Sequence, residues 1–392
     1  MRAWWGVLVA VGLAACGGSD EVDPRDLGTR VVEALCARDV WCGVYASAEA
    51  CRQERQQLGE DVRLGLGTRH DAALASGQLR YDSAAAARCV AAIADSDCRL
   101  PALTPEAYSL GIEYDPACQV LHAEAPAEAC RLHVECGEDA YCHYTGGDTC
   151  EGACEPRRGE GEVASLSEQC APGLGLNLAA LNTCRRPGEE GEACIRTGGD
   201  EIPRVCGTGL WCDVASGTCR RTGAQGESCA EDRTTPCGAS YVCKEGHCSR
   251  RVKKGGSCLA SDTSPTLFVN ECQKDFFCDA DPHARGTCQT RLGEGASCRH
   301  ALECGPDLTC LNAGAEPGPG ERGTCQRLSG LGEDCDPDLF FRTCARNLSC
   351  STLSRKCTPA VLPGEHCGSE ALCWFGVCIE GRCLPREAYV CL

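Results

Sequence analysis

Of the 392 residues, 39 are cysteine, and their spacing decides which sulfur chemistry is open to them. Thiols at this density can form structural disulfides, thiolate metal sites or redox pairs. No C-x-x-C occurs anywhere, so both the thioredoxin-like pair and the usual zinc-ribbon spacing are missing. Only 8 histidines are present, and neither H-E-x-x-H nor a closely spaced histidine pair accompanies the cysteines. Disulfides are the chemistry that fits the array as a whole.

Other reactive side chains are sparse. His122, His133 and His143 lie near Glu124, Glu135 and Glu138, the residue types of a metal or acid–base site. Histidines among surface carboxylates are more often simply solvated. Asp148, Glu151 and Glu155 could hold calcium, with solvated carboxylates the plainer reading. The glycine-rich stretch from Gly314 to Gly323 has no G-K-[ST] and reads as turns, not a phosphate loop. Ser257, in Gly255-Gly256-Ser257-Cys258, lacks the second glycine of a nucleophile elbow. Asn347-Leu348-Ser349 matches a glycosylation sequon and is expected to be idle. Arg250 to Lys254 (RRVKK) is the one basic run; a solvated loop between units is preferred to a polyanion contact. No catalytic residue, metal ligand or cofactor motif stands out, so the chain reads as a non-enzyme.

Composition bounds what positions these residues. The chain has 46 Gly, 19 Pro and a single Met, which favours turns over large cores. An ordinary cytosolic enzyme is excluded, because reducing compartments do not keep so many sulfurs oxidised. The net charge of −18 argues against nucleic acid and against adsorption to anionic lipid heads.

Residues 1–15 read as a signal peptide: Arg2 gives the positive start, and Ala3 to Ala15 is apolar but too short to span a bilayer. Its end, Leu13-Ala14-Ala15-Cys16, resembles the lipobox of bacterial lipoproteins. That resemblance implies diacylglyceryl attachment at Cys16, cleavage before it, and acylation of the new amino terminus. Residues 16–25 then form a lipidated tether. In Gram-negative lipoproteins Asp after the lipidated cysteine favours the inner membrane; Gly17 stands there instead, which implies the outer membrane, facing the periplasm or the cell surface.

Residues 26–125 read as a small helical domain. Leu27, Val31, Val32 and Leu35 recur at helical spacing with Asp26 available as N-cap. A second helix begins near Ser47, and a third follows Asp82 and Ser83, from Ala84 to Ile93. Cys36, Cys42, Cys51, Cys89 and Cys98 are expected to pin these helices together.

Residues 126–392 hold a tandem repeat. A glycine stands three residues before each first cysteine: Gly191, Gly226, Gly255, Gly295, Gly332 and Gly364. Five regular units follow: Cys194, Cys206, Cys212, Cys219; Cys229, Cys237, Cys243, Cys248; Cys258, Cys272, Cys278, Cys288; Cys298, Cys304, Cys310, Cys325; and Cys335, Cys344, Cys350, Cys357. Five residues separate the second and third cysteines, which suits a strand–turn–strand, and a G-x-C glycine is expected to make a tight turn before the closing strand. Leu210, Tyr241, Phe276, Leu308 and Leu348, two residues before each third cysteine, supply the hydrophobic content. Units of about 35 residues need such staples to fold. Four cysteines allow three pairings that spacing does not separate; first-to-third and second-to-fourth is preferred, for instance Cys229–Cys243 and Cys237–Cys248. The stretch from Cys130 to Cys154 has five cysteines, the next only Cys170 and Cys184, and the last five, ending at Cys391. Both flanks of the regular units are therefore odd. One bridge spans them, two thiols are free with Cys391 the first candidate, or a boundary is misdrawn.

The repeat resembles Dickkopf N-terminal cysteine-rich domains and EGF-like modules in cysteine order, turn glycines and the five-residue gap. These units mostly carry four cysteines where EGF-like modules carry six, so no calcium or receptor residues transfer. The whole arrangement resembles cysteine-rich lipoproteins of Gram-negative soil bacteria, a resemblance that implies no particular activity.

The expected fold is therefore small disulfide-rich modules in tandem, with short hairpins and loops, preceded by a disulfide-pinned α-helical domain. The expected function is a lipid-anchored envelope scaffold whose modules present variable loops to a protein or a surface polysaccharide. A protease inhibitor using Arg233 or Arg299 in a short loop is the second reading, and a metal-binding protein or enzyme around His133 the third.

Overall fold

The computed structural model describes residues 21–66, 70–104, 107–108, 111–124, 129–130, 132–144, 152–164, 167–177, 182–194, 205–230, 236–260, 271–281, 284–311, 322–335, 344–345, 348–351, 354–359, 376–379 and 382–385. Leu13, Ala14, Ala15 and Cys16 lie outside these residues, as do Cys150, Cys367, Cys373 and Cys391.

The first domain comprises α1 (Leu27–Trp41), α2 (Ala48–Gln57), α3 (Glu60–Arg63), α4 (Asp71–Ala75), β1 (Leu79–Tyr81), α5 (Ser83–Ala94) and β2 (Leu121–Ala123). The spacing of Leu27, Val31 and Leu35 places all three on the buried face of α1, in one core with Cys89 and Ile93 of α5. Two helix starts follow the capping rule: Ser47 Oγ accepts the Ala50 N–H at 3.2 Å, and the Asp82 carboxylate accepts that of Ala85 at 2.8 Å. Asp26 does not. Its own backbone is already helical, its side chain makes no cap bond, and only its carbonyl serves the helix. The domain is also not purely helical, because β1 and β2 pair antiparallel with Arg80 opposite His122. Cys36–Cys51 ties α1 to α2, Cys42–Cys98 ties the end of α1 to the segment after α5, and Cys89–Cys118 ties α5 to the segment before β2.

The remainder is a chain of small disulfide-rich modules. Hairpins pair β3 (Ala140–Tyr144) with β4 (Gly152–Pro156), β5 (Gly175–Asn177) with β6 (Thr183–Arg185), β7 (Leu210–Asp213) with β8 (Thr218–Arg221), and β9 (Tyr241–Lys244) with β10 (His247–Arg250). Two modules add a third strand: β11 (Ser257–Leu259) joins β12 (Phe276–Asp279) and β13 (Arg285–Thr290), and β14 (Ser297–Cys298) joins β15 (Leu308–Leu311) and β16 (Gly323–Arg327). The pairs β17 (Leu348–Cys350) with β18 (Cys357–Pro359) and β19 (Gly376–Ile379) with β20 (Arg382–Pro385) follow.

In each regular module the third and fourth cysteines stand opposite each other, as Cys243 and Cys248 do. Opposed side chains share one face of the hairpin, yet each of these sulfurs reaches back to a different partner. The bonds are Cys194–Cys212 with Cys206–Cys219, Cys229–Cys243 with Cys237–Cys248, Cys258–Cys278 with Cys272–Cys288, Cys298–Cys310 with Cys304–Cys325, and Cys335–Cys350 with Cys344–Cys357. The pairing is first-to-third and second-to-fourth throughout. Cys130–Cys142 and Cys136–Cys154 repeat it in the opening module.

Two local expectations are corrected. The five residues between second and third cysteines form a knuckle, a turn that feeds the first hairpin strand; the hairpin itself lies between the third and fourth cysteines. The G-x-C glycine also has two uses. Gly246, with Glu245, makes a two-residue turn at φ +79° and +52°, the mirror-image type that suits hairpin twist. Gly286 instead lies inside β13, where an added Cβ would stand 2.3 Å from the Asp279 carbonyl oxygen. Gly364 lies outside the described residues, but at Gly191, Gly226, Gly255, Gly295 and Gly332 the leading glycine has one role. At φ between +76° and +89° it turns its N–H onto the carbonyl of its own module's fourth cysteine, as Gly226 does to Cys248 at 2.8 Å.

That rule exposes a module hidden from cysteine counting. Gly161 donates to the carbonyl of Cys184 at 2.8 Å, so the described residues between them are built like the rest. Ala164 occupies the first-cysteine place, and Leu176, opposite Cys184, occupies the third. Cys170–Cys184 is the second-to-fourth bond, and the missing bond is replaced by apolar packing of Ala164 and Leu176 around it.

The linkers are equally regular. The residue four places after a closing cysteine bridges in parallel to the second cysteine of the next module: Arg158 to Cys170, Gly188 to Cys206, Gly223 to Cys237, Val252 to Cys272, Leu292 to Cys304 and Ser329 to Cys344. Val252 and Leu292 also pack into the next module's sulfur cluster, so its apolar content exceeds the single residue foreseen.

Candidate functional site

Three successive knuckles lie against the helical domain. In the Cys206–Cys212 knuckle, Gly209 sits under Leu100; a Cβ there would stand 2.3 Å from Leu100 Cδ2. In the Cys237–Cys243 knuckle, the N–H groups of Ala239 and Ser240 donate to the carbonyls of Arg99 and Cys98 at 2.9 and 3.1 Å. Tyr241 then packs on the cluster containing Cys42 and Cys98. In the Cys272–Cys278 knuckle, the Lys274 N–H donates to the Val44 carbonyl at 2.8 Å. Gln273 Nε2 donates to the carbonyls of Gly43 and Tyr45 at 3.2 and 3.3 Å, and the Ala46 N–H donates to Asp275 Oδ1 at 3.1 Å. The same element of the repeat therefore docks three times in a row, on loops at one end of α1.

Ion pairs continue from this contact into the helical domain. Arg291 Nη2 lies 2.8 Å from Glu54 Oε2, across the interface. Behind it, Arg55 joins Asp39 at 2.7 Å and also Glu60, while Arg38 lies 3.0 Å from Asp39. These side chains are almost wholly buried, where a paired charge is tolerated and a lone one is not. Arg251 is drawn into the same region, its Nη1 donating to the Cys272 carbonyl, and burial pushes its pKa down. The RRVKK run is thus solvated at Arg250, Lys253 and Lys254, as expected of a loop between modules, and of its cations only Arg251 is drawn in. It crosses the junction of two of the three modules that grip the helical domain.

The histidine–carboxylate group does not form a site. His133 is buried, and its Nδ1 accepts the backbone N–H of Cys142 at 3.0 Å, which anchors the knuckle of the opening module. Burial, aided by Arg157, lowers its pKa to about 4, so the ring is neutral and structural. Glu135 accepts the Leu132 N–H, Glu124 pairs with Arg80 at 2.8 Å, and Glu138 is exposed. His143 meets His133 only by way of Tyr141, which stands edge-on to it and tilted to His133. Of the three calcium candidates, Asp148 and Glu151 lie outside the described residues, while Glu155 accepts from Tyr141 Oη at 3.0 Å.

Arg299, an inhibitor candidate, is not presented outward. Its Nε binds Glu303 Oε1 at 2.6 Å and its Nη1 donates to the Ala280 carbonyl of the preceding module. Arg233, Asn347 and the stretch from Gly314 to residue 321 lie outside the described residues. Ser257 sits in β11 as part of the frame.

Against known proteins, the chain matches no family model, no curated protein and no solved structure. Its class rests on its own geometry. It is a tandem array of small disulfide-rich modules seated on a disulfide-pinned helical domain. Sequence reasoning missed the seating because its backbone contacts, from the N–H groups of Ala239, Ser240 and Lys274, are advertised by no residue type, and its side-chain contacts join residues far apart in the chain. The hidden module did leave a signal: Gly161-Glu162 repeats the Gly191-Glu192 and Gly226-Glu227 leads.

Proposed function

We propose that the protein is a lipid-anchored scaffold of the bacterial cell envelope, held to the outer membrane through Cys16, whose modules present loops to a partner. The observation that carries this reading is the threefold knuckle contact. With it, a chain poor in large cores holds its modules in fixed order, and recognition loops work from such a frame. The bonded cysteines support an oxidising compartment. Leu13-Ala14-Ala15-Cys16 supplies the lipid signal, and multiple acyl chains hold a protein where one holds it only marginally. The likeness to Dickkopf and EGF-like modules and to cysteine-rich lipoproteins is one of cysteine order, and brings no receptor or calcium residues. The partner is another protein or a surface polysaccharide, since the charge of −18 disfavours nucleic acid. The inhibitor reading loses Arg299, which is spent on Glu303 and Ala280.

The test replaces residues 195–204 or 261–270, stretches between first and second cysteines, with Gly-Ser of equal length. A Cys16→Ser background keeps the anchor from contributing. Sedimentation with isolated envelopes is expected to show binding that falls severalfold for at least one replacement. Binding unchanged for both contradicts the presenting loops, and an unacylated Cys16 in membrane-extracted protein contradicts the anchor.

A further inference from the structure

We propose that the junction of the Cys229–Cys248 and Cys258–Cys288 modules binds an anionic polysaccharide, through a patch formed by Arg250, Lys253, Lys254 and Lys274. The fold adds Lys274 to the RRVKK run. Val252 bridges to Cys272, and Arg251 donates to the carbonyl of Cys272, two residues from Lys274. Arg250 packs beside Gly43, while the Lys274 backbone binds Val44 and its Nζ lies 5.5 Å from the centre of the Tyr45 ring. All four belong to exposed residues, but the Lys274 ammonium lies against the buried Tyr45 ring, where desolvation lowers its pKa and Glu54 opposes that shift. Arg250, Lys253 and Lys254 therefore carry most of the exposed charge. Half-buried Lys244 adds a fifth charge, its Nζ reaching the Ser257 carbonyl at 3.0 Å.

Among the described residues, none of these five cations is in an ion pair, whereas Arg25, Arg52, Arg186, Arg221 and Arg291 each are. The carboxylates nearby are already engaged: Glu54 by Arg291, Asp39 by Arg38 and Arg55, Glu245 by Arg285, Glu271 by the Leu259 N–H, and Asp275 by the Ala46 N–H. An unbalanced cluster of cations on an acidic protein is a local attractor, because screening over about 8 Å at physiological salt hides it from the remaining charge.

Shape selects the ligand. A membrane or a duplex would bring a broad anionic surface against a protein of charge −18, whereas a single polysaccharide chain can run along the patch alone. Place agrees, given the anchor of the scaffold reading, on which this inference rests. The patch meets the carboxyl end of α1, about 22 Å from its amino end, which follows the tether.

The probe is a fluorescently labelled octamer of galacturonic acid, titrated by anisotropy against the full chain in non-ionic detergent, with a neutral dextran octamer as control. The reading predicts saturable binding of the acidic octamer alone, weakening as salt rises. In a Lys253→Glu/Lys254→Glu/Lys274→Glu variant, affinity is expected to fall by at least about tenfold and the salt slope to flatten. Unchanged circular dichroism of that variant would show the frame intact; should it unfold, Lys253→Gln/Lys254→Gln repeats the measurement with the same expected direction. No binding by the parent chain, equal binding by parent and folded variant, or equal binding of dextran overturns the proposal. None of these readouts depends on acylation at Cys16 or on the loops replaced above, so this patch and the scaffold reading fail separately.

Discussion

Leu176 lies directly opposite Cys184 in the β5–β6 pair, in the place where the other modules carry their third cysteine. Ala164 holds the first-cysteine place, and its N–H binds the Asn182 carbonyl at 2.7 Å, as that of Cys229 binds Gly246. The module thus keeps its hairpin with one bond fewer. An Ala164→Cys/Leu176→Cys variant is expected to close that bond spontaneously. Closing a loop of this size contributes about 3 kcal/mol. Intact mass without alkylated thiols, together with a raised melting temperature, checks it; two alkylated thiols would count against the shared architecture.

Docking of the second regular module depends on a close backbone approach. An added Cβ at Gly238 would lie 2.7 Å from the Arg99 Cα and carbonyl oxygen, whereas one at Gly293 meets nothing within 4 Å. Gly238→Ala is therefore expected to lower stability by about 2 kcal/mol and to speed proteolysis, with Gly293→Ala close to neutral. Equal effects of the two substitutions would argue against the contact.

The buried ion pairs predict an asymmetry. Arg55→Met leaves Asp39 and Glu60 facing each other with less compensation, so a loss of about 3 kcal/mol is expected. Adding Asp39→Asn to Arg55→Met should recover part of it, measured by denaturant unfolding with disulfides intact.

His133 makes the opening module acid-sensitive. In the unfolded chain it titrates near 6.5, in the folded one at about 4, so unfolding takes up a proton between those values. Stability from this group is full above pH 6.5, falls as pH drops through the window, and amounts to about 3 kcal/mol in all. A protonated Nδ1 could no longer accept from the Cys142 N–H. His133→Asn should flatten the dependence of melting temperature on pH between 6.5 and 4; an unaltered slope would refute the assignment.

What was legible in the sequence was what repeats or caps. The leading glycines, the cysteine order, Ser47 and Asp82 each act through a local rule, and each acts so here. Asp26 misled because its backbone already follows the helix, leaving no extended N-cap geometry for its carboxylate. The cations of the RRVKK run were legible as a solvated loop except at Arg251, whose contact with Cys272 lies twenty-one residues onward. Cysteine counting hid one module because Ala164 and Leu176 do the work of a bond without sulfur, while the odd parity of the two flanks stands. With that module recognised, and the last read as Cys367, Cys373, Cys378 and Cys383, the cysteines left over besides Cys16 are Cys150 and Cys391. Above all, at the interface the amides of Ala239, Ser240 and Lys274 meet carbonyls 140, 142 and 230 residues away, and such backbone contacts have no side-chain signature.

That interface is the centre of the account, and hydrogen exchange at single-residue resolution in the full oxidised chain tests it most directly. The amides of Ala239, Ser240 and Lys274 should be protected by several orders of magnitude, and those of Ala239 and Ser240 should lose protection in Gly238→Ala. Exchange of all three at the rate of an unstructured peptide, with the disulfides intact, would mean that the modules do not rest on the helical domain.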